Sequence, residues 1–230
     1  MPGQMVKFPA NGGTADGYLA TPSSGKGPGV IVIQEWWGLN DQVKGVADMF
    51  AREGFVALAP DFYHGKAAKI GEPDNAQKLM MEFFQADDAA KTARGAAEYL
   101  TKQPAVTTKK VGAIGFCMGG FLAILVGSVA PDKVAAVVDC YGVGQRIPDL
   151  KPMRGIPVLG IFGGKDGMAN ADAVAALEKA ARESGVPFTK YAYPDADHAF
   201  LNEQRKDAHR PNDAKDAWSK IHPFLKSNVR

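Results

Sequence analysis

The stretch Val111-Gly112-Ala113-Ile114-Gly115-Phe116-Cys117-Met118-Gly119-Gly120 reads as a short apolar strand that runs into a glycine-framed polar residue, and Phe121-Leu122-Ala123-Ile124-Leu125-Val126 continues it as a helix. Gly115, Cys117 and Gly119 occupy the fixed positions of a G-x-S-x-G turn, with sulfur in place of oxygen. A side chain at the apex of so sharp a strand-to-helix turn sits in strained backbone. The residues two before and two after it must lack bulk for strand and helix to approach. Such a turn also aims the thiol near a helix N-terminus, where unpaired N–H groups favour the thiolate. The competing reading makes Cys117 a small buried core residue of an ordinary strand-helix turn.

Outward from this stretch, Gly29–Ile33, Phe55–Pro60, Val134–Val138 and Ile156–Phe162 are continuous apolar runs, the mark of strands covered on both faces. Helical patterns alternate with them. One runs from an Asn40 or Asp41 cap to Arg52, and one, long or broken, from Asp74 to Thr101. Others run from Asp172 to Ser184, stopped by Gly185, and from Asn212 to Leu225. Val6–Phe8 and Thr14–Ala20 flank Asn11-Gly12-Gly13 as an edge hairpin, and Thr189–Tyr193 alternates as a final strand. The pattern predicts an α/β chain, a mainly parallel sheet with helices on both faces, in one domain over residues 1–230. In such sheets ligands meet the carboxyl ends of the strands. Those ends carry Glu35, Trp36 and Trp37, then Cys117, then Asp139, Cys140 and Tyr141, then Asp166, then His198.

Composition narrows the class. Over 230 residues, 46% hydrophobic and 23% charged content is that of an ordinary globular protein. A formal net charge of +2, with acids and bases interleaved, argues against a nucleic-acid partner. The N-terminus has no apolar targeting segment and no run approaches membrane-spanning length, so no membrane partner is expected. Two cysteines in no CxxC pair fit a reducing compartment, and the expected location is cytoplasmic.

Cys117, Asp166 and His198 stand in the order nucleophile, acid, histidine, each after a strand, and parallel strands would deliver them to one edge. A thiol of ordinary pKa, about 8.5, is mostly protonated at neutrality. A histidine that takes its proton raises the thiolate fraction, and an aspartate fixes that imidazole's tautomer. The N–H of Met118, the residue after the nucleophile, and that of Trp36 would form an oxyanion hole. Against this stand the plainer readings of Asp166 as a turn former and His198 as a loop histidine. The Gly163-Gly164-Lys165-Asp166-Gly167 loop misses the phosphate-loop spacing, and there is no HExxH, no zinc-spaced set and no GxGxxG.

The sequence resembles the dienelactone hydrolase (carboxymethylenebutenolidase) family of α/β-hydrolases over nearly its whole length. The likeness rests on Gln34–Asn40, Pro60-Asp61-Phe62-Tyr63, Gly115–Gly120, Gly164-Lys165-Asp166 and Asp197-His198-Ala199-Phe200. It implies an eight-stranded sheet with minimal cap, a Cys117, Asp166, His198 triad and no cofactor. It also implies that Glu35 holds the resting thiol and takes its proton when substrate arrives. The founding lactone hydrolases hold a substrate carboxylate with arginines, and at those places this chain has Asn202 and, in the long helical region, Lys78. Trp37, Lys78, Tyr141, Phe200 and Asn202 are the candidate substrate-binding residues. The expected partner is a small ester or lactone, and the expected state a monomer or weak homo-oligomer. A lactone or activated-ester hydrolase is the leading reading. A general carboxylesterase or thioesterase, a non-catalytic binding module and a thiol redox protein using Cys117 and Cys140 are the alternatives.

Overall fold

Gly12, at a φ of 70° that favours glycine, turns the chain between β1 (Gln4–Ala10) and β2 (Gly13–Ala20), which pair antiparallel from Ala10↔Gly13 to Gln4↔Leu19. The computed structural model describes residues 2–10, 12–83, 86–143 and 147–230. Then follow β3 (Gly29–Ile33), α1 (Asp41–Arg52), β4 (Val56–Pro60), α2 (Pro73–Phe83), α3 (Ala86–Thr101) and β5 (Val111–Phe116). The chain continues through α4 (Met118–Val129), β6 (Val134–Cys140), β7 (Val158–Gly163), α5 (Ala171–Ser184), β8 (Phe188–Tyr193) and α6 (Pro211–Asn228).

The strands form one eight-stranded sheet in the order β1-β2-β4-β3-β5-β6-β7-β8. From β4 to β8 neighbours run parallel, and β2 pairs antiparallel on both sides. Every residue of β3, β4, β5 and β7 is buried, as unbroken apolar runs require of strands covered on both faces. Alternate residues of β5 serve the two faces. A Cβ on Gly29 would meet Val111 and Leu100 of α3, while one on Gly112 would meet Leu225 of α6 and Val229. Phe50 of α1 packs its ring edge-on against Phe55, Trp218 and His222, joining α1 to α6.

Helix ends follow their capping chemistry. Asn40 accepts the Val43 N–H at 3.1 Å, Asn170 accepts that of Ala173 at 3.0 Å, and Gly185 closes α5 in the left-handed conformation at φ 71°. The period read over Asp74–Thr101 divides into α2 and α3, and residues 84 and 85 lie outside the described chain. β7 starts at Val158, two residues later than its apolar run, because Pro157 has no N–H for a ladder. α6 starts on Pro211, at the helix position where a missing N–H costs nothing, and runs through Pro223 to Asn228, beyond the expected Leu225. No helix among the described residues is long and apolar enough to cross a membrane.

Gly45 is exposed in the interior of α1, and a Cβ there would meet no atom within 4 Å. Gly45→Ala is expected to stabilise the fold by about 1 kcal/mol, since alanine restricts the unfolded chain and favours helix. Urea unfolding reads this directly, and an unchanged or lower midpoint would contradict it.

Candidate active site

Cys117 connects β5 to α4 with φ 55° and ψ −121°, a left-handed conformation rare for a residue with a side chain. Contact compels the flanking glycines. A Cβ on Gly115 would lie 1.7 Å from the Gly119 oxygen, and one on Gly119 would lie 2.4 Å from the Gln34 oxygen and 2.5 Å from that of Ile33. The backbone N–H of Cys117 donates to the Cys140 oxygen at 3.0 Å, which ties the turn to the end of β6. Cys117 is partly exposed, whereas Cys140 is buried, and burial pushes its thiol pKa well up. Met118 opens α4, so its N–H belongs to the first turn, where helices leave donors unpaired.

Asp166 and His198 come from the exits of β7 and β8. Register brings those exits together, since Gly163 pairs with Tyr193, the Gly164 N–H donates to the Tyr193 oxygen at 2.7 Å and the Lys165 N–H to the Ala196 oxygen at 3.0 Å. His198 Nδ1 lies 2.7 Å from Asp166 Oδ2, and Asp166 Oδ1 accepts the N–H groups of Met168 at 2.8 Å and Ala169 at 2.9 Å. Burial acts to raise the Asp166 pKa. The bond to His198, the charge of that ring and the two N–H donors outweigh it and hold the carboxyl below its usual range. Burial likewise acts to lower the His198 pKa, but the Asp166 bond and the Cys117 sulfur override it and hold the imidazole at about 10. His198 Nε2 is buried with no partner in hydrogen-bond geometry among the described residues, and Cys117 is close enough to act on the ring.

A second carboxyl is built into the same strand edge. Glu35 is 2% exposed and accepts from Trp37 Nε1 at 3.0 Å and Asn202 Nδ2 at 3.0 Å on Oε2, and from the Tyr141 hydroxyl at 3.3 Å on Oε1. Burial raises its pKa, opposed by the Asn202 bond and by the charges of His198 and Arg205. Tyr141 has φ 46° and sets its ring edge against His198 at a 5.2 Å centroid distance. Thus Trp37, Tyr141 and Asn202 converge on Glu35. Phe200 is fully buried against Tyr141 and Tyr193.

Trp36 is half-buried, with its ring edge-on to Trp37 at 5.1 Å. Lys78 is exposed on α2, where it lines a shallow cleft with Asp74, Gln77, Met81 and Glu82. The charge of Arg205, held in a fork by Asp207 at 2.9 and 2.7 Å, also reaches both Glu35 and Cys117. Tyr63 was also not among the expected site residues. Its buried hydroxyl contacts Met118 Sδ at 3.4 Å, and burial with the Cys117 charge raises its pKa. The Asp61 carboxylate fixes that tyrosine by accepting the N–H groups of Tyr63 and Gly65. The signal for Tyr63 was its place just beyond a strand end. No group of three His, Cys, Asp or Glu side chains among the described residues could hold a metal ion.

An eight-stranded sheet of this order, with a strained strand-to-helix elbow and an Asp–His pair beyond the last two strands, defines an α/β-hydrolase. The model of the dienelactone hydrolase family matches residues 15–229, and the chain belongs to that family. It is 41% identical to the protein usf of Aquifex pyrophilus, over 97% of this chain and 98% of that one. A protein of Aquifex aeolicus provisionally named a carboxymethylenebutenolidase is 37% identical, over 99% and 100% of the two chains. The crystal structure of the dienelactone hydrolase of Anabaena variabilis superposes over the full length of both chains with a TM-score of 0.73 at 21% identity, a likeness of fold.

The Asp166–His198 bond makes stability depend on pH with a definite sign. Because folding holds His198 at about 10 against an ordinary 6.5, its contribution is complete below pH 6.5 and drains away as pH rises towards 10. Asp166, held low, contributes above its ordinary 3.8 and loses that contribution as pH falls. Unfolding midpoints measured from pH 6 to 10 should fall in the wild type and fall less in Asp166→Asn. Parallel profiles would contradict the assignment.

Proposed function

We propose that this hydrolase uses Cys117 as nucleophile to open a small lactone or activated carboxylic ester through a thioester. The observation that carries the reading is the Asp166–His198 bond, with His198 Nε2 unpartnered and under the influence of a Cys117 sulfur held at a strained elbow. The Cys117 thiolate adds to the ester carbonyl. The resulting oxyanion takes the N–H groups of Met118 and Trp36, donors typically worth ~3 kcal/mol each in the transition state. The C–O bond breaks as the oxygen leaves with the proton from His198 Nε2, and in a lactone that alcohol stays attached to the acyl group. The neutral imidazole then takes a proton from water, hydroxide adds to the thioester carbonyl, and the thiolate departs. Asp166, kept ionised, steadies the imidazolium in both half-reactions.

Glu35 is the second proton acceptor in this reading. Its burial raises its affinity for a proton, and the donors from Trp37, Tyr141 and Asn202 stand ready for the carboxylate. It would hold a resting thiol that has turned from His198 and take its proton on substrate arrival, limiting oxidation of an idle thiolate. Trp36 offers its half-exposed ring as a pocket wall. A neutral-ester reading has its own support, since Asn202 is spent on Glu35. Arg205 favours an acyl group that carries a negative charge.

With p-nitrophenyl acetate, wild-type enzyme should give a burst equal to its active sites and an acetyl group on Cys117 detectable by mass spectrometry. Cys117→Ala should lose at least about 10³-fold in kcat. Turnover that survives Cys117→Ala would sink the proposal. Arg205→Gln separates the substrate classes: KM for an anionic ester should rise about tenfold, with neutral esters unaffected, for a lost charged contact of roughly 1.5 kcal/mol. Equal effects on both would favour the neutral-ester reading.

A further inference from the structure

Asp139, next to last in β6, is fully buried, and no step of the proposed hydrolysis uses it. Its Oδ1 accepts the Gly142 N–H at 2.8 Å, while Oδ2 is buried without a hydrogen-bond partner among the described residues. An ionised carboxylate there would be an isolated buried charge with one donor, which is unfavourable. Burial pushes its pKa well up, and the single N–H offsets only part of that. Burial therefore biases the group towards its neutral form.

The same carboxyl fills the space between the elbow and the turn after β6. A Cβ on Gly120 would lie 2.2 Å from Asp139 Oδ1. One on Gly142 would lie 2.4 Å from the Gly120 Cα, 2.5 Å from the Phe121 nitrogen and 2.6 Å from that Oδ1. Between the bonded residues lie Cys140, whose oxygen takes the Cys117 N–H, and Tyr141 at φ 46°. A bulky residue in that conformation is strained and persists only where its surroundings enforce it. From there its hydroxyl meets Glu35 and its ring edge meets His198.

We infer that Asp139 is a positioning residue: by accepting the Gly142 N–H it closes the 139–142 turn and holds Tyr141 where that side chain orients Glu35 and His198, while packing the turn against the helix that begins behind Cys117. This role for catalysis rests on the reading of Cys117 and His198 given above. The acceptor atom is what matters, and the acid's charge is not.

Asp139→Asn and Asp139→Ala separate these requirements. The asparagine keeps the acceptor without a charge, so kcat with p-nitrophenyl acetate should stay within about twofold of wild type and the pH profile should not move. The alanine frees the turn, so kcat should fall on the order of tenfold and the limb of the profile that reports His198 should shift. An asparagine variant as impaired as the alanine would overturn the inference, as would an alanine variant with wild-type kcat and profile and only a lower melting point. If the alanine variant does not fold, Asp139→Ser, with a shorter acceptor, should give an intermediate kcat, and wild-type values from it would overturn the inference equally. Crystal structures of the variants test the geometry without any turnover. Tyr141 should leave its left-handed conformation and the Glu35 bond in the alanine or serine form, and its persistence there would refute the positioning role. Should wild-type enzyme hydrolyse no ester, the hydrolytic reading fails while this structural outcome is still read.

Discussion

The backbone of Cys117, at φ 55° and ψ −121°, is the constraint around which the chain is arranged. Such a conformation costs of order 1–3 kcal/mol and survives only when neighbouring surfaces overdetermine it. Those surfaces come from three strands. α4 folds back until the Gly119 oxygen lies where a Gly115 side chain would be, and Gly119 itself rests on the Ile33 and Gln34 carbonyls at the end of β3. The Cys117 N–H is tied to Cys140 on β6. Since β3 and β6 are the two neighbours of β5, the central strand order and the elbow require each other. A change in the order would leave Gly119 with nothing to pass over and Cys117 with no partner for its N–H.

Three carboxyls lie near this elbow, and the donors around each decide its state. Asp166 has two backbone N–H groups and an imidazole, enough to keep it ionised against burial. Glu35 is more deeply buried and takes three side-chain donors, and its pKa still moves up. Asp139 has one donor and moves furthest towards the neutral acid. One carboxyl is thus held low and two are pushed up at one sheet edge, because burial and hydrogen bonding are balanced differently at each.

Much of this was legible in the sequence because its causes are local. Unbroken apolar runs announced the parallel strands, Asn40 and Gly185 marked the ends of their helices, and the 115-117-119 spacing announced the elbow. Parallel strands then implied that Cys117, Asp166 and His198 share an edge, and the geometry brings them to it. What the sequence could not carry is the partner of each buried polar group. Trp37, Tyr141 and Asn202 were expected at the substrate, yet all three donate to Glu35, from positions 2, 106 and 167 residues away along the chain. Hydrogen bonds of that span follow from the closed fold and leave no periodic trace.

Arg205 belongs to the same loop. The position four beyond His198 holds Asn202, and the cation lies three residues further along. The Arg205 N–H donates to the Asn202 oxygen at 3.0 Å, so the turn that delivers the Asn202 amide to Glu35 also fixes where the arginine begins. One short loop thereby supplies both a neutral donor to the buried carboxyl and a cation whose field reaches it. Asp207 grips the guanidinium in a fork, which orients it and offsets part of its charge. The guanidinium is therefore fixed in direction by Asp207 while its charge acts on both Glu35 and Cys117.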